Sequence, residues 1–316
     1  MRTPDAQGRW RSWHLHAGSL RPAALENLLL RAVVPVVEEH VAGQGPGDPP
    51  RPWFFLRYWQ GGPHLRLRIA DLGDPEATRI TAELTARTNA VNAELPPEDR
   101  ITAAAYRRAA RPLADLGEGG HALDLGELLP PGVHPAVYEP EIRRYGGPGE
   151  MALSEELFHA SSVVALRACR ARPGHGRSVA DGLEAMAATL SAWPGDQPAL
   201  LRAVRDGWAQ WSGGPVRGEA AERFARGVAE QADRLRASAG ALAALADGAP
   251  SRWSAWTTRL RPAAERWAES HGTPGAGRIL GSQLHMTQNR LGVGVGREGV
   301  MAAILLDLLQ QHSGAS

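Results

Sequence analysis

The stretch "WFFLRYWQGGPHLRLRIA", residues 53–70, decides how the first half of the chain folds. "WFFLRYW" and "HLRLRI" flank "QGGP", a turn by composition, so the two runs are predicted to pair as an antiparallel hairpin. Successive side chains of a strand point to opposite faces, which puts His64, Arg66 and Arg68 on one side and Leu65, Leu67 and Ile69 on the other. The leucine side is expected to pack on a core, leaving a cationic row on a rigid support. Two guanidinium forks about 7 Å apart along a strand suit a ligand with separated carboxylates. Trp53, Phe55 and Trp59 in the first run are expected to wall this row into a partly dry pocket, where charge pairing is strengthened. An ordinary solvated sheet face shows the same alternation.

Around the hairpin the first half mixes strands and helices. "RWRSWHLHA" sets Trp10, Ser12, His14 and His16 against Arg11, Trp13 and Leu15, as a strand does. "RPAALENLLLRAVVPVVEEHV" is helical, with Pro22 near its start and Pro35 ending or kinking it. "GQGPGDPPRP" is a loop by composition, and residues 74–92 form a helix opened by Asp74 and Pro75. Residues 98–132 are expected to hold short strands and turns, and "VHPAVYEPEIRRYGG" to pass from a strand into an irregular segment fixed by Pro135, Pro140, Gly146 and Gly147.

From about Met151 the pattern becomes helix after helix, over 151–172, 178–192, 197–211, 217–246, 251–270, 276–291 and 297–312. "WSGGP", "DGAP" and "HGTPGAG" punctuate them. The fold class is α+β, a small antiparallel sheet layer in the N-terminal half packed with a largely helical C-terminal half. Residues 1–150 form the mixed part and 151–316 the helical part of a single domain.

Composition narrows the chemistry. With 316 residues, 43% of them hydrophobic, the chain can bury a substantial core. No apolar run approaches the roughly 18 residues of a membrane span, and the first residues lack the apolar stretch of a signal peptide, so a cytoplasmic location without membrane contact is expected. The net charge of +1 gives no global attraction to nucleic acid, and all 35 Lys plus Arg residues are Arg. The solitary Cys169 allows neither an internal disulfide nor a thiolate metal site. "HLH" at 14–16 reads as a lone strand pair and HExxH is absent, so neither a metal nor an organic cofactor is expected. "GVGVGREG" follows a helix, where a dinucleotide fingerprint should follow a strand, and reads as an interhelix turn.

Two further groups could carry chemistry. "YEPEIRRYGG" crowds Tyr138, Glu139, Glu141, Arg143, Arg144 and Tyr145 onto backbone held by prolines and glycines; taken alone, the segment reads first as an ion-pair network of Glu141 with Arg144 or with the Arg row. In "AGRILGSQLHMTQNRLG", Arg278, Ser282, His285 and Asn289 recur every three or four residues and so form one polar stripe on a helix. His285 in its middle suits a general acid or base oriented by Ser282 and Asn289, although a satisfied buried histidine has the same spacing.

Taken in order, "WFFLRYWQGGPHLRLRI", "VYEPEIRRYGG", "MALSEELFHASS" and "SQLHMTQNRLG" resemble the C-terminal module of class I lantibiotic dehydratases, the thiopeptide-type bacteriocin biosynthesis domain. The resemblance runs from Trp10 to the last helix. It implies the glutamate-elimination half of a peptide dehydratase: a tRNA-dependent glutamylating subunit esterifies Ser or Thr of a precursor peptide bearing a leader, and this module removes glutamate to leave dehydroalanine or dehydrobutyrine. Because the module fills the sequence, a split system with a separate glutamylating partner is implied. By resemblance Arg66, Arg68 and Arg144 bind the glutamyl group or the enolate, Glu141 positions them, and His285 is the base or the proton donor. His64, Arg57, Tyr145, Ser282 and Asn289 are implied as substrate-binding residues. The same fold serves thiopeptide pyridine synthases, which join two dehydroalanines by formal [4+2] cycloaddition and release the leader. A non-catalytic leader-peptide carrier is a further alternative, and homodimer formation is left open.

Overall fold

The computed structural model describes residues 9–41, 50–116, 123–171, 178–211, 219–294 and 296–314. It divides into two compact units, Met1–Glu141 with Cys169–His175, and Ile142–Ala168 with Gly176–Ser316. The loop expected at 43–52 lies largely outside the described residues.

The first unit is built on four antiparallel strands, β1 (Trp10–His16), β2 (Trp53–Tyr58), β3 (His64–Ala70) and β4 (Gly132–Ala136), in the order β2-β3-β1-β4. The predicted hairpin is present, with Trp53 opposite Ile69 and Tyr58 opposite His64. Its loop needs glycine at two successive positive-φ positions, Gly61 at 74° and Gly62 at 109°. A Cβ on Gly62 would also meet Leu128 Cδ1 at 2.9 Å, so the loop is held closely as well as bent sharply.

Leu15, Leu65, Leu67 and Ile69 are wholly buried on one sheet face. Each such side chain contributes about 1.5–3 kcal/mol of hydrophobic stabilisation. The covering layer is α1 (Pro22–Leu28), α2 (Val34–His40) and α3 (Asp74–Ala93). Trp13 Nε1 donates to Thr81 Oγ1 at 2.8 Å, fastening β1 to α3. Pro35 does not end the helix. The chain passes from α1 through a π turn, Leu29–Val33, into α2, and Pro35 sits in α2 directly after the π turn.

The structure corrects the reading of 98–132. A helix, α4 (Ala103–Leu116), stands where short strands and turns were expected. Its buried stripe is Tyr106, Ala110 and Ala114, four residues apart, with Arg107, Arg108 and Arg111 exposed on the other side. Pro112 lies inside this helix, on its exposed side.

The second unit is helical: α5 (Pro148–Ala171, counted here to Ala168), α6 (Ser178–Leu190), α7 (Gln197–Trp211), α8 (Glu219–Leu235), α9 (Ala239–Ala246), α10 (Ser254–Leu291) and α11 (Arg297–Gly314). The single helix predicted over 217–246 is two, separated by a 3-10 turn at Arg236–Ser238. Conversely, the helices predicted over 251–270 and 276–291 are nearly continuous, broken only at Gly272, whose φ of 64° and ψ of 167° are non-helical. Pro274 then falls in the first turn of the resumed helix, a position that suits it. Trp253, Trp256 and Trp267 are wholly buried and anchor the core, and α11 packs on α6, α7, α8 and α9.

Candidate functional site

Strand register decides which side chains of the first unit share a sheet face. His64, Arg66 and Arg68 do lie on one face of β3, opposite the leucines. Across the ladders they meet Tyr58, Leu56 and Phe54 on β2, and His16, His14 and Ser12 on β1. The aromatic wall is therefore Phe54 and Tyr58, not Trp53 and Phe55, which point to the leucine side. The two runs pair one residue out of the phase assumed, and one residue reverses every side chain. The Arg66 guanidinium lies 3.5 Å from the Tyr58 ring centre, and that of Arg68 lies 4.6 Å from Tyr138 and 5.2 Å from Phe54. Arg68 is only 6% exposed and Arg66 half-buried, so these cations sit in a medium where Coulomb forces are strong. Arg57 does not join them; it is on the leucine side, with Nη2 3.9 Å from Cys169 Sγ. Glu141, at the end of this unit, is exposed.

"HLH" is not a lone pair. β1 brings His14 and His16 beside His64 on β3, and the rings stack, with centroids 4.8 Å apart for His14 and His64 and 4.3 Å for His16 and His64. His134 on β4 meets His16 edge-on at 4.9 Å. The sequence carries one usable sign, an H-x-H strand and a second strand that begins with His; the antiparallel register that joins them is long-range and leaves no mark in local spacing. His64 Nδ1 donates to the Gly62 carbonyl at 2.8 Å, so its Nε2 keeps the lone pair, towards which Arg66 Nε donates at 3.3 Å. Burial, then Arg66 and Arg68, pushes His14 down from 6.5 to about 3. Burial, then His134, pushes His16 down to about 4, partly opposed by the Gly61 backbone. Burial, then His16, pushes His64 down to about 2. All three are neutral imidazoles at neutral pH. Their donor atoms lie within 4.8 Å of one another, as do those of Glu39, His40 and Glu83 elsewhere in the unit. In that second cluster Glu83 is already bound by His40 at 2.8 Å and Arg87 at 2.7 Å.

In the second unit the polar stripe of α10 is real. Arg278 is exposed and Ser282, His285 and Asn289 are partly so, while Ile279, Leu280, Leu284 and Met286 between them are buried. Arg144 reaches the stripe, its Nε donating to Ser282 Oγ at 3.3 Å. Tyr145 is 2% exposed and packs edge-on against Phe158 at 4.8 Å, which makes it a support beneath Arg144. His285 has a partner that the sequence did not suggest: its Nδ1 lies 2.8 Å from Glu298 Oε1, on the first turn of α11. Glu298 is 1% exposed. A carboxylate only accepts, so His285 Nδ1 carries the proton and Nε2 is left as the basic atom. The Trp208 ring flanks the imidazole at 5.3 Å. One accessible stripe thus joins a carboxylate-oriented imidazole to an anchored guanidinium, the means to move a proton and to hold an anion.

Among solved structures, the pyridine synthase TbtD from thiomuracin biosynthesis is similar over 98% of this chain and 100% of its own, at 22% identity and a TM-score of 0.71. The tRNA-dependent lantibiotic dehydratase MibB from Microbispora sp. 107891 matches 100% of this chain with 29% of its own length, at 21% identity and a TM-score of 0.54. TsrL matches over 96% of this chain and 95% of its own, at 17% identity and a TM-score of 0.62. These likenesses establish a shared fold. No curated protein matches the chain. The sequence model of the family described as "Lantibiotic biosynthesis dehydratase C-term" matches residues 10–309, from the first strand into the last helix, and the chain belongs to that family.

Proposed function

We propose that this protein eliminates glutamate from glutamylated Ser or Thr residues of a leader-bearing precursor peptide, leaving dehydroalanine or dehydrobutyrine. The observation that carries the reading is the His285–Glu298 pair on the stripe that also holds Arg144 and Ser282. β-Elimination needs a base for the Cα proton and a cation for the developing oxyanion and the departing carboxylate. His285 Nε2 takes the Cα proton, the electron pair of that bond becomes the second Cα–Cβ bond, and the Cβ–O bond breaks to release glutamate as its carboxylate. Glu298 orients the ring and offsets the charge of the imidazolium, and Arg144 holds negative charge. In the first unit, the row Arg66 and Arg68, walled by Tyr58, Phe54 and Tyr138, is read separately as a recognition element for carboxylates of the peptide substrate. Such a substrate calls for a glutamylating partner upstream.

A second reading, formal [4+2] cycloaddition of two dehydroalanines with leader release, is favoured by the likeness to TbtD over its full length. That reaction calls for acid/base and hydrogen-bonding groups more than a carboxylate clamp. The deciding experiment is mass spectrometry of a leader-bearing glutamyl-Ser peptide incubated with the protein and with Arg66→Ala and His285→Ala. Loss of one glutamic acid, absent in both variants, supports elimination. An intact ester, together with conversion of a bis-dehydroalanine peptide to a pyridine and free leader, overturns it in favour of cycloaddition.

A further inference from the structure

We infer that His14, His16 and His64 form a binding site for a divalent transition metal of the zinc and cobalt class, on the sheet of the first unit and independent of the elimination reading. Three observations converge. The ligand atoms of the three rings already lie within 4.8 Å of one another. His16 is 1% exposed, yet neither of its ring nitrogens has a hydrogen-bond partner of normal geometry, an uncompensated burial of polar atoms that a metal would relieve. And His64 donates Nδ1–H to the Gly62 carbonyl, the arrangement by which a protein fixes the tautomer of a ligating imidazole and turns its Nε2 lone pair to the ion.

Tetrahedral nitrogen ligands about 2.0–2.1 Å from an ion are about 3.4 Å apart. Ligand atoms up to 4.8 Å apart must therefore close by as much as about 1.4 Å, and the stacked rings must turn about χ1 and χ2 so that their in-plane lone pairs converge on the ion. His134 stands outside the ligand set because its Nε2 is 2.9 Å from the Pro130 carbonyl oxygen. Three protein ligands leave a fourth position open, as in sites that bind water or substrate at the metal. Arg66 works against the ion. Its Nε now faces the lone pair that a metal would take, and its charge repels a dication. Only an ion with high affinity for imidazole can displace it, which selects zinc, cobalt or copper over magnesium and calcium. The same charge favours an anion as the fourth ligand.

The test is titration of chelator-treated protein with Co²⁺, followed by visible absorption and by bound metal per chain. One Co²⁺ with the intense bands of tetrahedral nitrogen coordination is expected, displaced by Zn²⁺, with a raised Tm for the metal-bound protein. His16→Gln and His64→Gln should lose the bands; His14→Gln, at the more exposed position, gives the same readout if either fails to fold. Arg66→Gln should tighten Co²⁺ binding about tenfold, by removing the competing cation. Glu298→Gln, which probes the elimination reading, should leave cobalt binding unchanged. Absence of stoichiometric cobalt, bands that survive in a folded His16→Gln protein, or weaker binding in Arg66→Gln would each overturn the site.

Discussion

Glu298 shows how much can hang on one carboxylate. It is buried, and its oxygen sits 2.8 Å from His285 Nδ1. Glu298→Gln keeps the volume but removes the charge that favours the imidazolium, so single-turnover elimination should slow by about 10²-fold while the folded protein persists. Arg68→Lys tests recognition. A lysine loses the planar fork and the stacking on Tyr138 and Phe54, so KM for the glutamyl peptide should rise about tenfold with kcat little changed. The stripe holding His285 was readable in the sequence because residues three or four apart on one helix announce themselves. Glu298 was not, since it lies beyond an interhelix turn, where no periodicity links it to His285.

At the scale of elements, the sheet and the kinked helix each make a prediction. His14, His16 and His64 are held neutral when folded, whereas in the unfolded chain they titrate at the ordinary value of 6.5. Below that pH the unfolded state binds more protons. Their contribution to stability is thus complete above about pH 6.5 and is lost as the pH falls through the folded values near 4, 3 and 2. The charges facing these rings, Arg66 and Arg68 on β3 and His134 on β4, act in the same sense. Urea midpoints measured from pH 7 to 4 should therefore fall more steeply for the wild type than for the His16→Gln/His64→Gln double variant. In α10, Gly272 adopts a φ of 64° with ψ of 167°, a region that belongs to glycine. Gly272→Ala should cost about 1–3 kcal/mol in chemical denaturation, through backbone strain alone, because the nearest atom to an added Cβ is Pro274 Cδ at 3.9 Å. Alternation in "HLRLRI" revealed the strand and its two faces. The phase of β2 did not follow, because "WFFLRYW" is aromatic on both faces, and α4 was obscured by the proline inside it, Pro112.

For the molecule as a whole, a net charge of +1 means that any ligand is held by local groups and not by a long-range field. Raising salt from about 50 to 200 mM should weaken precursor-peptide binding, followed by fluorescence anisotropy, less than about tenfold; a protein held by many phosphate contacts would lose about 10³–10⁵. The α+β plan was legible from the change of pattern near Met151. The division into units was less so: its boundary falls between Glu141 and Ile142, inside a segment of uniform composition, and assigns Glu141 to the first unit and Arg144 to the second. Density of charge along the chain does not mark such a boundary.

The indole of Trp208, 5.3 Å from His285, has an optical consequence. A protonated imidazole quenches a nearby excited indole by accepting an electron, and a neutral one does so far less. Subtracting the emission of a Trp208→Phe protein from that of the wild type across a pH series therefore isolates the ionisation of His285 from that of every other histidine, in a cuvette and without a substrate.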